Sequence, residues 1–204
     1  KDLPLYTENP GEKLRKLVER KSDLKHMLVQ EKNRLKAPEQ GELQESFDAI
    51  IQAIQKEIAV INERIANIYE NDPLLAEKND LLKSSPGIGE VTATDLLALV
   101  PELGHGNRRQ IASLCGLAPH PNESGCRSGH RFVRGGRKTI KPILFLAAMA
   151  AARSHSRLGE FYQKLCSAGK PKMVALTALM RKILVIAHAK LRDFYSEKTS
   201  LKHS

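Results

Sequence analysis

Apolar positions recur at helical spacing over most of the chain. Between Gly11 and Lys36, Leu14, Leu17, Leu24, Leu28 and Leu35 form a stripe of alternating three- and four-residue steps, with Lys21 and Glu31 in the remaining slots. Ala37-Pro38-Glu39-Gln40-Gly41 breaks the pattern. From Glu42 to Glu70 it returns more strongly. Phe47, Ile51, Ile54, Ile58, Ile61, Ile65 and Ile68 are spaced 4-3-4-3-4-3, the seam of a coiled coil. Two such helices joined by a short Pro/Gly break predict an antiparallel coiled-coil hairpin over residues 11–72, after a linker at 1–10. The isoleucine seam is richer than a partner with two polar slots needs. Contact with another chain and a purely intramolecular hairpin both stand.

The periodicity continues in shorter pieces. Pro73 opens a helix to about Lys83. Then comes Ser85-Pro86-Gly87-Ile88-Gly89-Glu90, followed by the apolar Leu96, Leu97, Leu99 and Val100. Helix, Pro-Gly-Ile-Gly, helix is the pattern of a helix-hairpin-helix, whose two glycines permit a tight turn with bare backbone. The N–H groups that begin the second helix then suit a phosphate; a plain turn between packed helices is the competing reading. Lys83 is the nearby cation and Glu90 would oppose a phosphate. Asn107 caps a helix over Arg108 to Cys115, with Arg108 and Arg109 outward and Gly116 as its stop.

After a long non-periodic stretch, Thr139 and Pro142 begin a helix whose Ile143–Ala152 segment, ILFLAAMAAA, is apolar on nearly all sides and predicts a buried central helix. Helices over about 158–166 and 172–195 follow. The last has an apolar face that includes Val174, Leu179, Ile183 and Leu191. Residues 197–204 read as a disordered tail. The fold class is therefore all-α: the hairpin, then a helical domain over 73–196 containing the helix-hairpin-helix.

Charge changes this picture from scaffold to binder. The net charge is +10 over 204 residues, but residues 1–104 carry 14 basic and 19 acidic side chains while residues 105–204 carry 19 and 4. A surplus of that size in one half points to a nucleic-acid face. Trp is absent and aromatic residues are few, which argues against a base-stacking platform. Three cysteines without a CxxC pair fit reduced thiols rather than a disulfide framework. No apolar run approaches the ~18 residues of a membrane span, and no signal peptide is present. The expected setting is the cytoplasm.

The positive charge concentrates in Gly116–Lys141, GLAPHPNESGCRSGHRFVRGGRKTIK, which has no usable helical or strand period. Arg127, Arg131, Arg134, Arg137, Lys138 and Lys141 thread it, and Glu123 is its one acid. Three readings compete. A serine, Ser124 or Ser128, attacks a phosphodiester while Arg and Lys stabilise the anionic transition state; spacing does not separate the two. The loop could equally bind backbone phosphate without chemistry. Cys115, His120, Cys126 and His130 have the ligand types of a zinc site, though not a familiar spacing. Paired carboxylates for a two-metal site are missing from this half, so the chain itself is expected to hold no catalytic metal.

Taken in order, the motifs resemble the C-terminal region of transposases of insertion-sequence family 110, whose relatives include pilin-gene invertases. The residues that carry the likeness are Ser84, Pro86 to Gly89, Thr92, Ala93, Leu96 to Ala98, Arg109, Ala112, Gly116 to Pro119, Ser124-Gly125, Gly129, Gly135-Gly136 and Ile140-Lys141. The resemblance covers about residues 80–155, and the preceding helices loosely. It implies a DNA recombinase whose N-terminal RuvC-like domain holds four acidic residues and divalent metal (Mg). A coiled coil follows, then this region, and a structured guide RNA helps to select DNA. It implies Ser124, not Ser128, as the nucleophile that becomes joined to DNA. On this view the chain starts just after the acidic domain, is inert alone, and forms a homo-oligomer through the coiled coil. Its DNA contacts are expected from Gly87, Gly89, Arg108, Arg109 and the six cations of the loop. A non-catalytic nucleic-acid-binding and oligomerisation module is the alternative. One departure concerns Lys141, where the family often has Arg and a bidentate phosphate grip would be lost.

Overall fold

The computed structural model describes residues 9–37, 41–124 and 127–201; for residues 120–124 and 127–132 it is the backbone pairing that is described. The fold is all-α in class, with eight α-helices and one two-stranded hairpin among the described residues. Contacts divide the chain into two compact units between Ala76 and Glu77.

In the first unit, α1 (Pro10–Leu35) starts with Asn9, whose Oδ1 accepts from the Gly11 N–H at 3.1 Å, and with Pro10 in the first turn. A 3₁₀ turn at Gly41–Leu43 leads into α2 (Gln44–Asn71). The pair runs antiparallel, because Pro10 and Lys13 at the start of α1 line one concavity with Arg64, Asn67 and Asn71 at the end of α2. Five seam isoleucines, 51, 54, 61, 65 and 68, are buried. Ile58 and Phe47 are half-buried. Counting equal rises inward from the shared end brings Lys21 level with Ile58, and Glu31 level with Phe47. The two polar slots of α1 thus match the two seam positions left half-covered. Val18 rather than Lys21 completes the buried stripe with Leu14 and Leu24.

The second unit contains most of α3 (Pro73–Lys83), then α4 (Glu90–Leu99), α5 (Arg108–Leu114), β1 (Pro119–Ser124), β2 (Arg127–Val133), α6 (Ile140–Arg153), α7 (Arg157–Ser167) and α8 (Lys172–Leu201). Its core gathers Leu82, Leu96, Leu103, Ile111, Leu144 and Leu184, with α6 packed on α4, α7 and α8. Alanines let α6 be approached closely. A Cβ on Gly87 would lie 2.7 Å from the Ala147 carbonyl oxygen and 2.8 Å from the Ala151 Cβ.

Three expectations change. The helix expected to be buried on all sides is not: Leu146 is 66% exposed and Ala150 is exposed, so α6 has an outer face. Val174, counted on the apolar face of the last helix, is also exposed, because that face begins at Ala175. The supposed disordered tail is helical to Leu201. Lys198 anchors this extension, pairing with Glu77 at 2.8 Å and lying over the Phe194 ring.

A histidine holds the loop between α4 and α5 onto α8. His188 is 3% exposed, and its Nδ1 accepts from the Gly104 N–H at 3.0 Å. Gly104 has φ +92°, and a Cβ there would sit 2.5 Å from the Tyr195 ring, which in turn stacks on His105 at 4.5 Å. Burial depresses the His188 pKa below its ordinary value; the charges of Arg192 and His105 act the same way, and a Gly106 backbone hydrogen bond acts against them. The unfolded chain therefore binds more protons below about pH 6.5, so this stabilisation is complete above that pH and lost as the pH falls. His188→Leu strands the Gly104 N–H and should lower stability at pH 7.5 by about 1–3 kcal/mol. In thermal melts the gap from the parent should narrow by pH 5. A gap of equal size at both pH values would rule out His188 as the titrating group.

Candidate nucleic-acid interface and serine hairpin

The stretch Gly116–Lys141 begins and ends at one point. Gly116 (φ +66°) terminates α5, and the Leu117 N–H returns to the Ala112 carbonyl at 2.7 Å. Some twenty residues later Gly136 (φ +71°) lies directly on it. A Cβ on Gly136 would overlap the Gly116 backbone and lie 2.7 Å from the Leu114 carbonyl oxygen, and a Cβ on Gly116 would overlap the Gly135 carbonyl. The Arg137 N–H donates to that Leu114 carbonyl at 2.9 Å. Glycine is required at both positions by conformation and by space.

Between these roots the chain forms a β-hairpin, although its sequence has no strand period. Strand pairing is a backbone matter that needs no apolar alternation when a face is not buried in a core. β1 and β2 pair antiparallel: Pro119 with Val133, His120 with Phe132, then, after an irregularity, Asn122 with Gly129, Glu123 with Ser128 and Ser124 with Arg127. Ser124 is thus the last residue of β1, at the far end from the glycine crossing. Ser128 is one pair nearer the root, beside the acidic Glu123.

Arg137, expected at the DNA, is engaged within the protein. Its guanidinium makes a two-pronged ion pair with Glu102, at 2.6 and 2.7 Å, and donates to the Leu99 carbonyl at 2.8 Å. The Glu102 carboxylate raises the Arg137 pKa. Lys141 is half-buried, its Cε packed beside Gly116. Arg134 and Lys138 are exposed on either side of the crossing. Arg127 and Arg131 lie on β2; their side chains fall outside the described residues. Arg108 and Arg109 are exposed in the first turn of α5, which Asn107 and Gln110 close with a reciprocal capping box. Cations disfavour a helix N-terminus, so helix stability does not account for these two arginines, whereas an anionic partner would.

The Pro-Gly-Ile-Gly turn is also rearranged relative to expectation. Only Gly87 needs glycine's conformational freedom, with φ +83°. Gly89 is extended, and no atom lies within 4 Å of where its Cβ would be. It caps α4 without a side-chain hydrogen bond, which leaves the first-turn N–H groups without a side-chain acceptor. Lys83 beside the turn is bonded to Glu90 at 2.7 Å and Asp80 at 2.8 Å, and Glu90 also accepts from Asn79 at 2.8 Å. These carboxylates raise the Lys83 pKa, and Lys83 in turn holds Glu90 below its ordinary value. Lys190 of α8 donates to Ser84 Oγ at 2.6 Å.

Of the four residues of the zinc reading, only the Cys115 side chain is among the described residues. Cys115 is fully buried at the core end of α5, and burial pushes its pKa up to about 11. The side chains of His120, Cys126 and His130 lie outside the described residues. Among the described residues no group of three His, Cys, Asp or Glu side chains could hold a metal, and no helix is long and apolar enough to cross a membrane. Sequence reasoning missed Glu102. Its one signal was its position as the last acid before the basic half.

The glycine crossing can be tested against its neighbour. Gly136→Ala must both hold φ +71° and displace backbone, so it should cost well over the ~1–2 kcal/mol of a left-handed alanine. Gly135→Ala, at the same φ but with no atom within 4 Å, should cost only that strain. Equal melting temperatures for the two variants would contradict the crossing.

Comparison with known proteins places this arrangement. Residues 79–163 match the model of the transposase IS116/IS110/IS902 family. The chain is 29% identical over 157 residues to the insertion element IS110 uncharacterized 43.6 kDa protein of Streptomyces coelicolor, covering 75% of the chain and 38% of that protein. It is 27% identical over 185 residues to the pilin gene-inverting protein of Moraxella lacunata, covering 89% of the chain and 57% of the relative. The insertion element IS116 uncharacterized 44.8 kDa protein of Streptomyces clavuligerus is 28% identical over 144 residues, 69% of the chain and 35% of the relative. The chain thus spans between about a third and three-fifths of the curated relatives it matches. The matched segment runs from the end of α3 through the glycine crossing and the serine hairpin into α7, and over that segment the chain is similar to the IS116/IS110/IS902 transposase family.

Proposed function

We propose that this chain is the DNA-binding and serine-supplying part of a transposase, and that Ser124 is the nucleophile. The observation that carries the reading is the position of Ser124. It ends β1 opposite Arg127, at the tip side of a hairpin whose root is fixed by Gly116 on Gly136 and flanked by exposed Arg134 and Lys138. In the cleavage step the Ser124 oxygen bonds to a DNA phosphorus, the bond from phosphorus to the leaving deoxyribose oxygen breaks, and the hydroxyl proton passes to a base. Rejoining reverses these changes with a new deoxyribose hydroxyl. Positive charge around the phosphate stabilises the extra negative charge of the transition state.

The PGIG turn supports a second contact. The turn before α4 lines a concavity with Lys83 to Gly89 and Ala150, and the helix start that follows suits backbone phosphate rather than base edges. Cleavage in this reading also uses divalent metal. In this proposal it belongs to the family's acidic RuvC-like domain, and the chain alone binds DNA without cutting it. A structured guide RNA, assembly into a homo-oligomer through α1 and α2, and a place at the nucleoid in the cytoplasm complete the proposal. Most of the isoleucine seam is already buried within one chain, so a partner would engage outer positions of the hairpin, such as exposed Met27 and Ile50.

In a recombination-competent protein carrying this chain, Ser124→Ala should lower recombination by on the order of 10³-fold or more and abolish the covalent protein–DNA adduct, whereas Ser128→Ala should retain both. Normal recombination by the Ser124 variant would eliminate the assignment. Adduct-free but intact DNA binding in the parent would favour the non-catalytic module. For the 204-residue chain, log affinity for duplex DNA should fall steeply with log salt. Joint replacement of Arg108 and Arg109 by Gln should flatten that slope by about 2. An unchanged slope would remove α5 from the interface.

A further inference from the structure

We propose that Arg137 and Glu102 form a positioning pair for the strand-transfer reaction, setting the serine hairpin at a fixed place relative to the PGIG turn. This rests on the reading of Ser124 as nucleophile. The argument starts from where the guanidinium goes. One of its nitrogens is shared between Glu102 and the Leu99 carbonyl, and the other completes the pair with Glu102. Leu99 is the last residue of α4, whose carbonyl has no partner within the helix. Arg137 follows Gly136 at the hairpin root, and its own N–H is bonded to Leu114 at the end of α5. One side chain therefore ties three things together: the C-terminus of α4, the loop after it, and the base of the hairpin.

The geometry gives this tie a function beyond packing. The ten residues of α4 make a rod of about 15 Å. Its N-terminal end presents the PGIG backbone. Its C-terminal end is held by Arg137, next to the glycine crossing from which β1 and β2 leave. DNA held by its backbone at the turn then meets a hairpin whose root is referenced to the same helix. The catalytic hydroxyl is carried by one end of a rigid element and the substrate grip by the other. Sub-ångström placement of a nucleophile matters: a misplacement of about 1 Å can cost 10²-fold in rate. A planar fork spanning a carboxylate and a carbonyl fixes orientation as a point charge on a flexible stem does not. The pair thus acts through Ser124 without touching DNA.

The experiment separates positioning from phosphate contact. For duplex DNA bound by the 204-residue chain, the salt slope should be the same for Arg137→Gln as for the parent, while Lys138→Gln should flatten it by about 0.9. In a recombination-competent protein carrying this chain, Arg137→Lys and Glu102→Gln should each reduce the covalent Ser124–DNA adduct by about tenfold or more. The double variant should be no worse than the poorer single one, because both remove the same link. Glu102→Gln is isosteric, and its melt verifies folding at the assay temperature. A slope that flattens by about 0.9 in Arg137→Gln makes Arg137 a phosphate contact and overturns the proposal. So does an adduct yield within threefold of the parent in Arg137→Lys, since a lysine would satisfy a phosphate, or in Glu102→Gln. Ser124→Ala run in parallel reports on the nucleophile separately. If it still forms adduct, the serine assignment fails while the two slope measurements continue to decide where Arg137 binds.

Discussion

Where Gly116 rests on Gly136, two stretches of backbone meet with no side chain between them, and the basic half of the chain is arranged around that meeting. Because neither residue has a Cβ, the Leu114 carbonyl at the end of α5 can be reached by the Arg137 N–H. Because Arg137 is delivered there, its guanidinium can turn back to Glu102 and Leu99. The hairpin leaves from this junction and the core helix α6 starts four residues beyond it. A single backbone crossing therefore fixes how a strand pair, a short helix and the central helix are joined.

The positive charge of this half divides by environment into two groups. Arg137 and Lys190 are occupied by Glu102 and by Ser84, and act as internal fasteners. Arg108, Arg109 and Lys138 are exposed. The first two stand where the dipole of α5 opposes them, a cost that Asn107 and Gln110 partly offset by capping. Net charge spreads over the whole half, but burial and pairing leave only a few of its cations exposed near the hairpin root.

The helices were legible because their apolar spacing is regular and Pro73 and Asn107 stand at helix starts those residues favour; Asn9 and Pro10, read as linker, in fact open α1. The isoleucine seam could be read residue by residue; that Phe47 and Ile58 are half-covered could not. The hairpin could not, because its pairing is a non-local backbone property and its sequence reads as turn residues. The Arg137–Glu102 pair joins residues 35 apart, a separation at which no local pattern operates, so Arg137 looked like one more cation of the loop. The serine could not be chosen from spacing either; family likeness singles out Ser124, and the register then puts it at the end of β1. Cys115 is buried at the end of α5, and its raised pKa follows from that burial.

The network around Lys83 has a consequence for ionic strength. Its ammonium is held between Asp80 and Glu90, so a phosphate at the PGIG turn would meet chiefly fixed peptide dipoles. Such dipoles displace few counterions when they bind. Side-chain cations that face phosphates displace one or nearly one each, as Arg108, Arg109 and Lys138 would on the proposed interface. The two ends of α4 would then respond differently as salt rises. Contacts near the hairpin would weaken first, and the turn would hold on, leaving DNA tethered by one end to a protein whose reactive end has let go.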